Sequence, residues 1–247
     1  MVDTPSPIHL EFYFDFLSPY AYLAHKNLLR IRSRHPNLRI ELMPTLFAGL
    51  LNHWGQLGPA EVPPKREWMS RDIARYAHLH GFPFGYPKVH PFKPLLALRL
   101  SLKEIAGDLQ EKIVEAFFDA AWGSPFLYDL GSPGDMHTIL TKTVGLSSTA
   151  ADSLLSAASS SHASSILREQ TAQAIRERGV FGVPSFWING ELYWGNDNVV
   201  YVEREIEGRG VLKGDERAEA MWAKWKTLVR GTDRPGMNPV ERLKGKL

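Results

Sequence analysis

Apolar and polar residues alternate from Ile8 to Glu11 and then give way to the unbroken run Phe12-Tyr13-Phe14, a pattern that predicts a strand over residues 8–15. Ser18-Pro19 follows. Serine suits a helix N-cap and proline the first helical position, so a helix starts at this point. Leu23, Leu28, Leu29 and Ile31 supply its apolar face, and His35-Pro36-Asn37 ends it. Leu38-Arg39-Ile40-Glu41-Leu42-Met43 alternates again and predicts a second strand over residues 38–43. Strand periodicity then disappears. From Thr45 to Gly179 helical spacing dominates, in pieces marked by Ile73, Ala74, Ala77 and Leu79, by residues 95–105, 110–121, 136–144 and 150–158, and by residues 165–178. Breaks rich in proline and glycine at 58–64, 81–94, 123–134 and 145–148 separate them. The serine-rich stretch 156–165 reads as a helix-loop-helix join. Strands return at residues 184–189 and 192–194, joined by the hairpin turn Asn189-Gly190, and residues 198–208 form the last core helix.

The order is therefore β-α-β, a long helical insertion, then β-β-α. This is an α/β fold in which residues 8–45 and 179–210 build the sheet domain and residues 46–178 the insertion. Beyond it, Ala218, Met221, Trp222, Trp225 and Leu228 recur at helical spacing, which predicts an amphipathic helix over residues 215–229. That helix is expected to pack back on its own chain, a dimer contact or a lid being its other uses. Residues 231–247 read as a loose tail.

Composition narrows the function classes. At 247 residues, with 44% hydrophobic and 23% charged residues, the chain has the balance of an ordinary globular protein. A formal net charge of +2, with both signs interleaved, makes no electrostatic case for nucleic acid or a membrane surface. No apolar run approaches a membrane span, and Met1 to Pro7 has neither the basic nor the apolar region of a secretory signal. Cysteine is absent, which excludes a disulfide framework, a thiolate metal site and a self-sufficient dithiol redox cycle. His78 and His80 are close in sequence, and His53 and His90 are isolated. None has a third ligand at metal spacing, so no metal is expected.

Two segments carry the chemistry: residues 12–23, with Ser18-Pro19-Tyr20-Ala21 at the strand-helix junction, and residues 179–190, with Gly182-Val183-Pro184 before a strand. Taken alone, Ser18 is an N-cap. Beside the second segment it becomes a hydroxyl at the positive end of a helix, where an anion is stabilised. A serine alkoxide is too basic to form, so Ser18 would donate its O–H to a thiolate brought by a ligand. A free thiol is only about 3% ionised at pH 7. One charge-assisted hydrogen bond and the helix terminus, about 2–4 kcal/mol together, would lower its pKa by roughly two units.

The element order with a functional motif at the first helix start is the thioredoxin plan, whose redox members carry Cys-x-x-Cys where this chain has Ser18-Pro19-Tyr20-Ala21. Residues 12–23 and 179–198, the latter closing on Trp194-Gly195-Asn196-Asp197, resemble the kappa-class glutathione transferases and the related 2-hydroxychromene-2-carboxylate isomerases. Lys65-x-x-Trp68-x-x-x-Asp72 is similar to a Lys-x-x-Tyr-x-x-x-Asp stretch of that family, and residues 117–123 to its Phe-x-Ala-x-Trp-Gly run. The resemblance spans about residues 8–208 and implies a thioredoxin-like sheet of the disulfide-bond-protein-A type with a large all-helical insertion and a C-terminal helical extension.

It also implies a glutathione site. Ser18 would hold the sulfur, with Pro19 and Tyr20 at the helix entry. Val183 would pair through its backbone with the cysteinyl residue, beside a cis Pro184. Asn196 and Asp197 would take the γ-glutamyl end, Asp197 suiting its ammonium, and Lys65 would face a carboxylate. Gln56 stands where the family has Asn, and Trp68 where it has Tyr. Phe47, Leu50, Trp54, Tyr86, Phe92 and Trp122 are candidates for an apolar electrophile pocket or for ordinary core. The implied activity is a glutathione-dependent transferase, with isomerase or peroxidase outcomes open, glutathione as co-substrate, a small-molecule electrophile as partner, and a homodimer as the assembly. A non-catalytic thioredoxin-fold binding module is the alternative, which retention on glutathione resin discriminates. The end Gly245-Lys246-Leu247 differs at one position from the peroxisomal Ser-Lys-Leu signal, leaving cytoplasm, mitochondrion and peroxisome as expected compartments.

Overall fold

The structure, a computed structural model, describes residues 6–87, 89–123, 128–212 and 214–228. Four strands form one sheet: β1 (Ile8–Phe14), β2 (Leu38–Pro44), β3 (Ser185–Ile188) and β4 (Glu191–Trp194), in the order β2-β1-β3-β4. The helix α1 (Pro19–Arg34) is the crossover that lets β2 run parallel to β1, with Ile8 opposite Leu38. The Asn189-Gly190 turn folds β4 back on β3, and β3 lies antiparallel to β1 with Phe12 opposite Phe186. This order puts β1 and β3, which are far apart in sequence, side by side at the middle of the sheet.

Alternation along β1 gives each sheet face its own core. Phe12 and Phe14 point toward α1 and pack with Phe16, Tyr22, Phe118 and Phe186; the Phe12 and Phe14 rings are 5.4 Å apart and Phe16 and Phe118 are 4.8 Å apart. Tyr13 points the other way, into a smaller cluster with Leu50, Ala174, Val180 and Val183.

The insertion is helical as its periodicity predicts, with different joints. A helix absent from the sequence reading, α2 (Phe47–Trp54), follows β2 directly. The break at 58–64 holds a 3-10 turn (Pro59–Glu61) and the start of α3 (Pro63–His80), because prolines at a helix start cost nothing there. Leu79, expected on the buried face of α3, is 79% exposed. Residues 95–105 divide into α4 (Leu95–Leu100) and α5 (Lys103–Ala106). The next helix, α6 (Gln110–Phe118), passes into a π-helical turn, Asp119–Gly123. Then come α7 (Pro133–Lys142), α8 (Ser148–Ser159) and α9 (Ser161–Arg178). The serine-rich join is one residue, Ser160, whose hydroxyl caps α9 by accepting from the Ala163 N–H, so α9 begins at Ser161 and not at 165.

After β4, a 3-10 turn (Asn196–Asn198) leads into α10 (Val199–Ile206), and α11 (Glu216–Leu228) is the predicted amphipathic helix. Met221, Trp222 and Trp225 on α11 are exposed, so the fold-back expected of this helix does not bury its apolar face. The tail 231–247, with Gly245-Lys246-Leu247, lies outside the described residues.

Candidate functional site

Ser18 is the N-cap of α1. Its Oγ accepts the Ala21 N–H at 3.2 Å, and Pro19 occupies the first helical position. The same hydroxyl donates to the Val183 carbonyl at 3.4 Å, joining two segments 165 residues apart. The Val183-Pro184 bond is cis, as the resemblance implies. Val183 is drawn in by its neighbour: a Cβ at Gly182 would meet Trp194 Nε1 at 2.6 Å, so only glycine lets this loop lie against β4. The Gly195 N–H then donates to the Pro184 carbonyl at 2.9 Å, tying the loop to the turn that carries Asn196 and Asp197.

The short turn before Ser18 is pinned from three sides. Asp15, fully buried, accepts the Leu17 N–H on one oxygen and the Phe47 N–H on the other, each at 3.0 Å. Burial pushes its pKa up to about 6 against the pull of those two donors. Trp122 Nε1 donates to the Phe16 carbonyl at 2.7 Å, and His90 Nε2 lies 3.0 Å from the Leu17 carbonyl. A carbonyl only accepts, so that His90 nitrogen carries the proton and the other ring nitrogen is the acceptor in the neutral ring. Asp15 and the positioning contact of His90 were missed in sequence. The legible signal for Asp15 was a lone carboxylate in the apolar run Phe12 to Leu17.

A polar seam joins α1 to α3 and to the 195–198 turn. Tyr20 donates to Asp72 at 2.8 Å. About two turns further along α1, Asn27 donates to the Tyr76 hydroxyl and to Asn196 Oδ1, both at 2.9 Å. Asn196 is thus buried with its side-chain oxygen turned inward, while Asp197 is exposed. Burial, the bond to Asp72 and the fields of Asp72 and Asp197 hold the Tyr20 phenol above its ordinary range. Lys65, Trp68 and Gln56 are exposed, the first two on α3 and Gln56 just after the left-handed Gly55 that ends α2.

The six apolar candidates fall into two groups. Phe47, Leu50 and Trp54 belong to α2. Leu50 is fully buried against Val180 and Val183, and Trp54 Nε1 donates to the Val180 carbonyl at 3.0 Å. On the opposite side, Trp122 and Phe92 are buried, while Tyr86 is half exposed with its hydroxyl on the Ser70 carbonyl. Phe84 and His90 of the 81–94 loop pack against Trp122 of the π-helical turn, with ring centroids 6.3 Å and 5.6 Å apart, and Phe92 of the same loop is buried. The two groups brace the Ser18 turn from either side.

His25 adds a buried group outside this site. It stacks between Phe12 and Phe118, its Nδ1 has no hydrogen-bond partner, and burial, with Lys26 and Arg32 nearby, lowers its pKa to about 3. Among the described residues, His35, Glu203 and Glu207 bring potential metal-ligand atoms within 4.8 Å of one another, but Arg34 and Arg209 pair with the two carboxylates. Among the same residues no helix is long and apolar enough to cross a membrane.

Comparison with known proteins matches residues 9–207 to the DSBA-like thioredoxin domain. A 2-hydroxychromene-2-carboxylate isomerase of Pseudomonas putida is 30% identical over 197 residues, covering 78% of this chain and 92% of that protein. Glutathione S-transferase kappa 1 of Rattus norvegicus is 27% identical over 210 residues, covering 79% and 89% respectively. A solved structure of 2-hydroxychromene-2-carboxylate isomerase superposes with a TM-score of 0.70 at 27% identity, over 85% of this chain and 98% of that one.

Proposed function

The chain belongs to the DSBA-like thioredoxin domain family, among the 2-hydroxychromene-2-carboxylate isomerases and kappa-class glutathione transferases, and from that premise we propose that it is a glutathione-dependent transferase whose Ser18 stabilises the glutathione thiolate. The observation that carries this reading is the Ser18–Val183 contact. At 3.4 Å it is a weak hydrogen bond, and each partner has a counterpart on glutathione. The Ser18 O–H turns to the sulfur, and the freed Val183 carbonyl accepts the cysteinyl N–H. The N-terminus of α1 adds its partial positive charge on the sulfur side.

The other anchors surround these two. Asp197 takes the γ-glutamyl ammonium, with Asn196 shaping the turn under it. Lys65 faces a glutathione carboxylate, and Gln56 offers its amide. Glutathione enters as a co-substrate. The sulfur lone pair forms a C–S bond to the electrophilic carbon, the leaving group departs with the bonding pair, and the thiol proton goes to solvent. Isomerase activity uses the same site: the sulfur adds, the opened chain rotates, and glutathione is expelled unchanged.

The test is one purified sample taken through three measurements: glutathione binding by calorimetry, conjugation of glutathione to a panel of electrophiles, and isomerisation of a 2-hydroxychromene carboxylate. Binding with turnover in either assay supports the reading. Failure to bind glutathione at millimolar concentration overturns it.

A further inference from the structure

Three contacts set how α3 lies on α1. Tyr20 pairs with Asp72, Asn27 with Tyr76, and the Arg30 guanidinium sits 4.1 Å from the centre of the Phe82 ring just past the end of α3. The partner numbers rise together, so the two helices run in the same sense. Asp72 is therefore tied to the first turn of α1. The part of α3 N-terminal to Asp72 runs toward the N-terminal side of α1, the side where Ser18 stands.

The residues in that part of α3 are spaced to share one face. Trp68 is one turn before Asp72 and Lys65 nearly two, about 6 Å and about 10 Å further along the axis. Ser18 is two residues before Tyr20, the residue bonded to Asp72, so Trp68 lies one turn of α3 from the side chain that meets the first turn of α1. It is 59% exposed, which leaves an indole face free to meet a ligand. The Tyr86 hydroxyl is bonded to the Ser70 carbonyl and anchors the 81–94 loop on α3 within the same turn of helix. The half-exposed Tyr86 ring lies in contact with Phe84 at 5.1 Å.

We propose that Trp68 is the specificity-determining wall of the second-substrate site, an indole face against which a flat, conjugated electrophile stacks while the Ser18-held sulfur attacks it. The proposal rests on the function proposed above and deepens it. Lys65, a turn further out, keeps the ionic role, so this part of α3 divides into a charged contact for glutathione and an aromatic contact for its partner. Buried Trp122 packs against Phe84 and His90 of the neighbouring 81–94 loop.

The experiment compares Trp68→Ala, Trp68→Leu and Trp68→Tyr in the full chain. Two electrophiles report on the wall: a chloronitrobenzene, which presents a flat ring, and iodomethane, which presents none. For the chloronitrobenzene, the sulfur bonds to the ring carbon and chloride leaves with the electron pair. Its kcat/KM should fall about tenfold, the equivalent of about 1.4 kcal/mol, in the alanine and leucine variants and recover in the tyrosine variant, because the first two lose the aromatic face on which the ring stacks. The iodomethane rate and the glutathione dissociation constant should be unchanged. Quenching of tryptophan fluorescence by a non-reactive nitroarene, present in the unaltered protein and weakened in Trp68→Tyr, is the second readout.

Equal losses for both electrophiles, or none for either, overturn the proposal. Equal losses together with a change of sedimentation from dimer to monomer reassign Trp68 to a contact between copies. If the unaltered protein conjugates iodomethane and the Trp68 variants are indifferent, only this inference falls. If the unaltered protein binds no glutathione, the function falls with it.

Discussion

The Ser18 hydroxyl lies 3.4 Å from the Val183 carbonyl while accepting the Ala21 N–H at 3.2 Å. One side chain thereby closes the N-terminus of α1 and touches the loop before β3. The function proposed for Ser18 keeps the accepting contact and exchanges the donating one for the ligand's sulfur.

Replacing Ser18 by alanine removes the proposed donor to the sulfur and the cap of α1. Turnover should fall about 30- to 150-fold, the rate equivalent of about 2–3 kcal/mol. Circular dichroism should show an intact fold with stability lower by about 1 kcal/mol from the lost cap. Near-normal turnover of this variant with glutathione would reduce Ser18 to a cap. Ser18→Cys should form a mixed disulfide with glutathione, visible as a mass increase that a reductant reverses.

Asp197 is exposed beside the buried Asn196, at the head of the turn into α10. Asp197→Asn should raise the glutathione dissociation constant about tenfold, near 1.4 kcal/mol, with little change in kcat at saturation. A thiol lacking the γ-glutamyl group is the control, and its reaction should be indifferent to the substitution. Matching losses for both thiols would assign Asp197 to the fold.

Asp15 makes stability depend on pH. Its folded pKa is raised from 3.8 to about 6, so the protonated form is the favoured buried one. The stability it supplies is complete below 3.8 and is lost as pH rises through about 6, amounting to about 3 kcal/mol in total. Asp15→Asn does not ionise. The unfolding free energy of the unaltered protein minus that of Asp15→Asn should therefore fall by most of this amount between about pH 4 and pH 7. Urea titrations at several pH values give the difference directly, and a flat one would show that Asp15 titrates normally in the fold.

His25 acts with the opposite sign. Its folded pKa is lowered from 6.5 to about 3, so the folded state holds it neutral. That stability is complete above 6.5 and is lost progressively as pH falls toward 3, at about 1.4 kcal/mol per pH unit. His25→Phe keeps the stack between Phe12 and Phe118 and removes both the orphaned nitrogen and the proton. Its advantage over the unaltered protein should grow by about 2 kcal/mol between pH 6.5 and pH 5. Parallel acid-unfolding curves for the two proteins would count against a buried neutral His25.

Short-range signals made much of this protein legible from its residues. The Ser18-Pro19 helix start, the Asn189-Gly190 hairpin turn and the alternation in β1 and β2 all depend on neighbours within a few residues. The element order followed from them, and with it the thioredoxin-like plan and the pairing of two distant segments. Helix α2 was not legible for the converse reason. It has no side-chain cap of its own, and the Phe47 N–H in its first turn is held by Asp15, 32 residues earlier in the chain.

What tertiary structure alone decided is where side chains of similar character end up. Trp54, Trp68 and Trp122 are alike in sequence, yet Trp122 is sealed on the Phe16 carbonyl, Trp54 is tied to Val180, and Trp68 stands exposed on α3. Asn196 and Asp197 are adjacent, yet Asn27 turns the first inward and leaves the second facing out. The physical reason is the same in each case. Periodicity records which face of an element is apolar, whereas burial depends on which other element reaches that face, and this is set by contacts such as Tyr20–Asp72 between residues far apart in the chain.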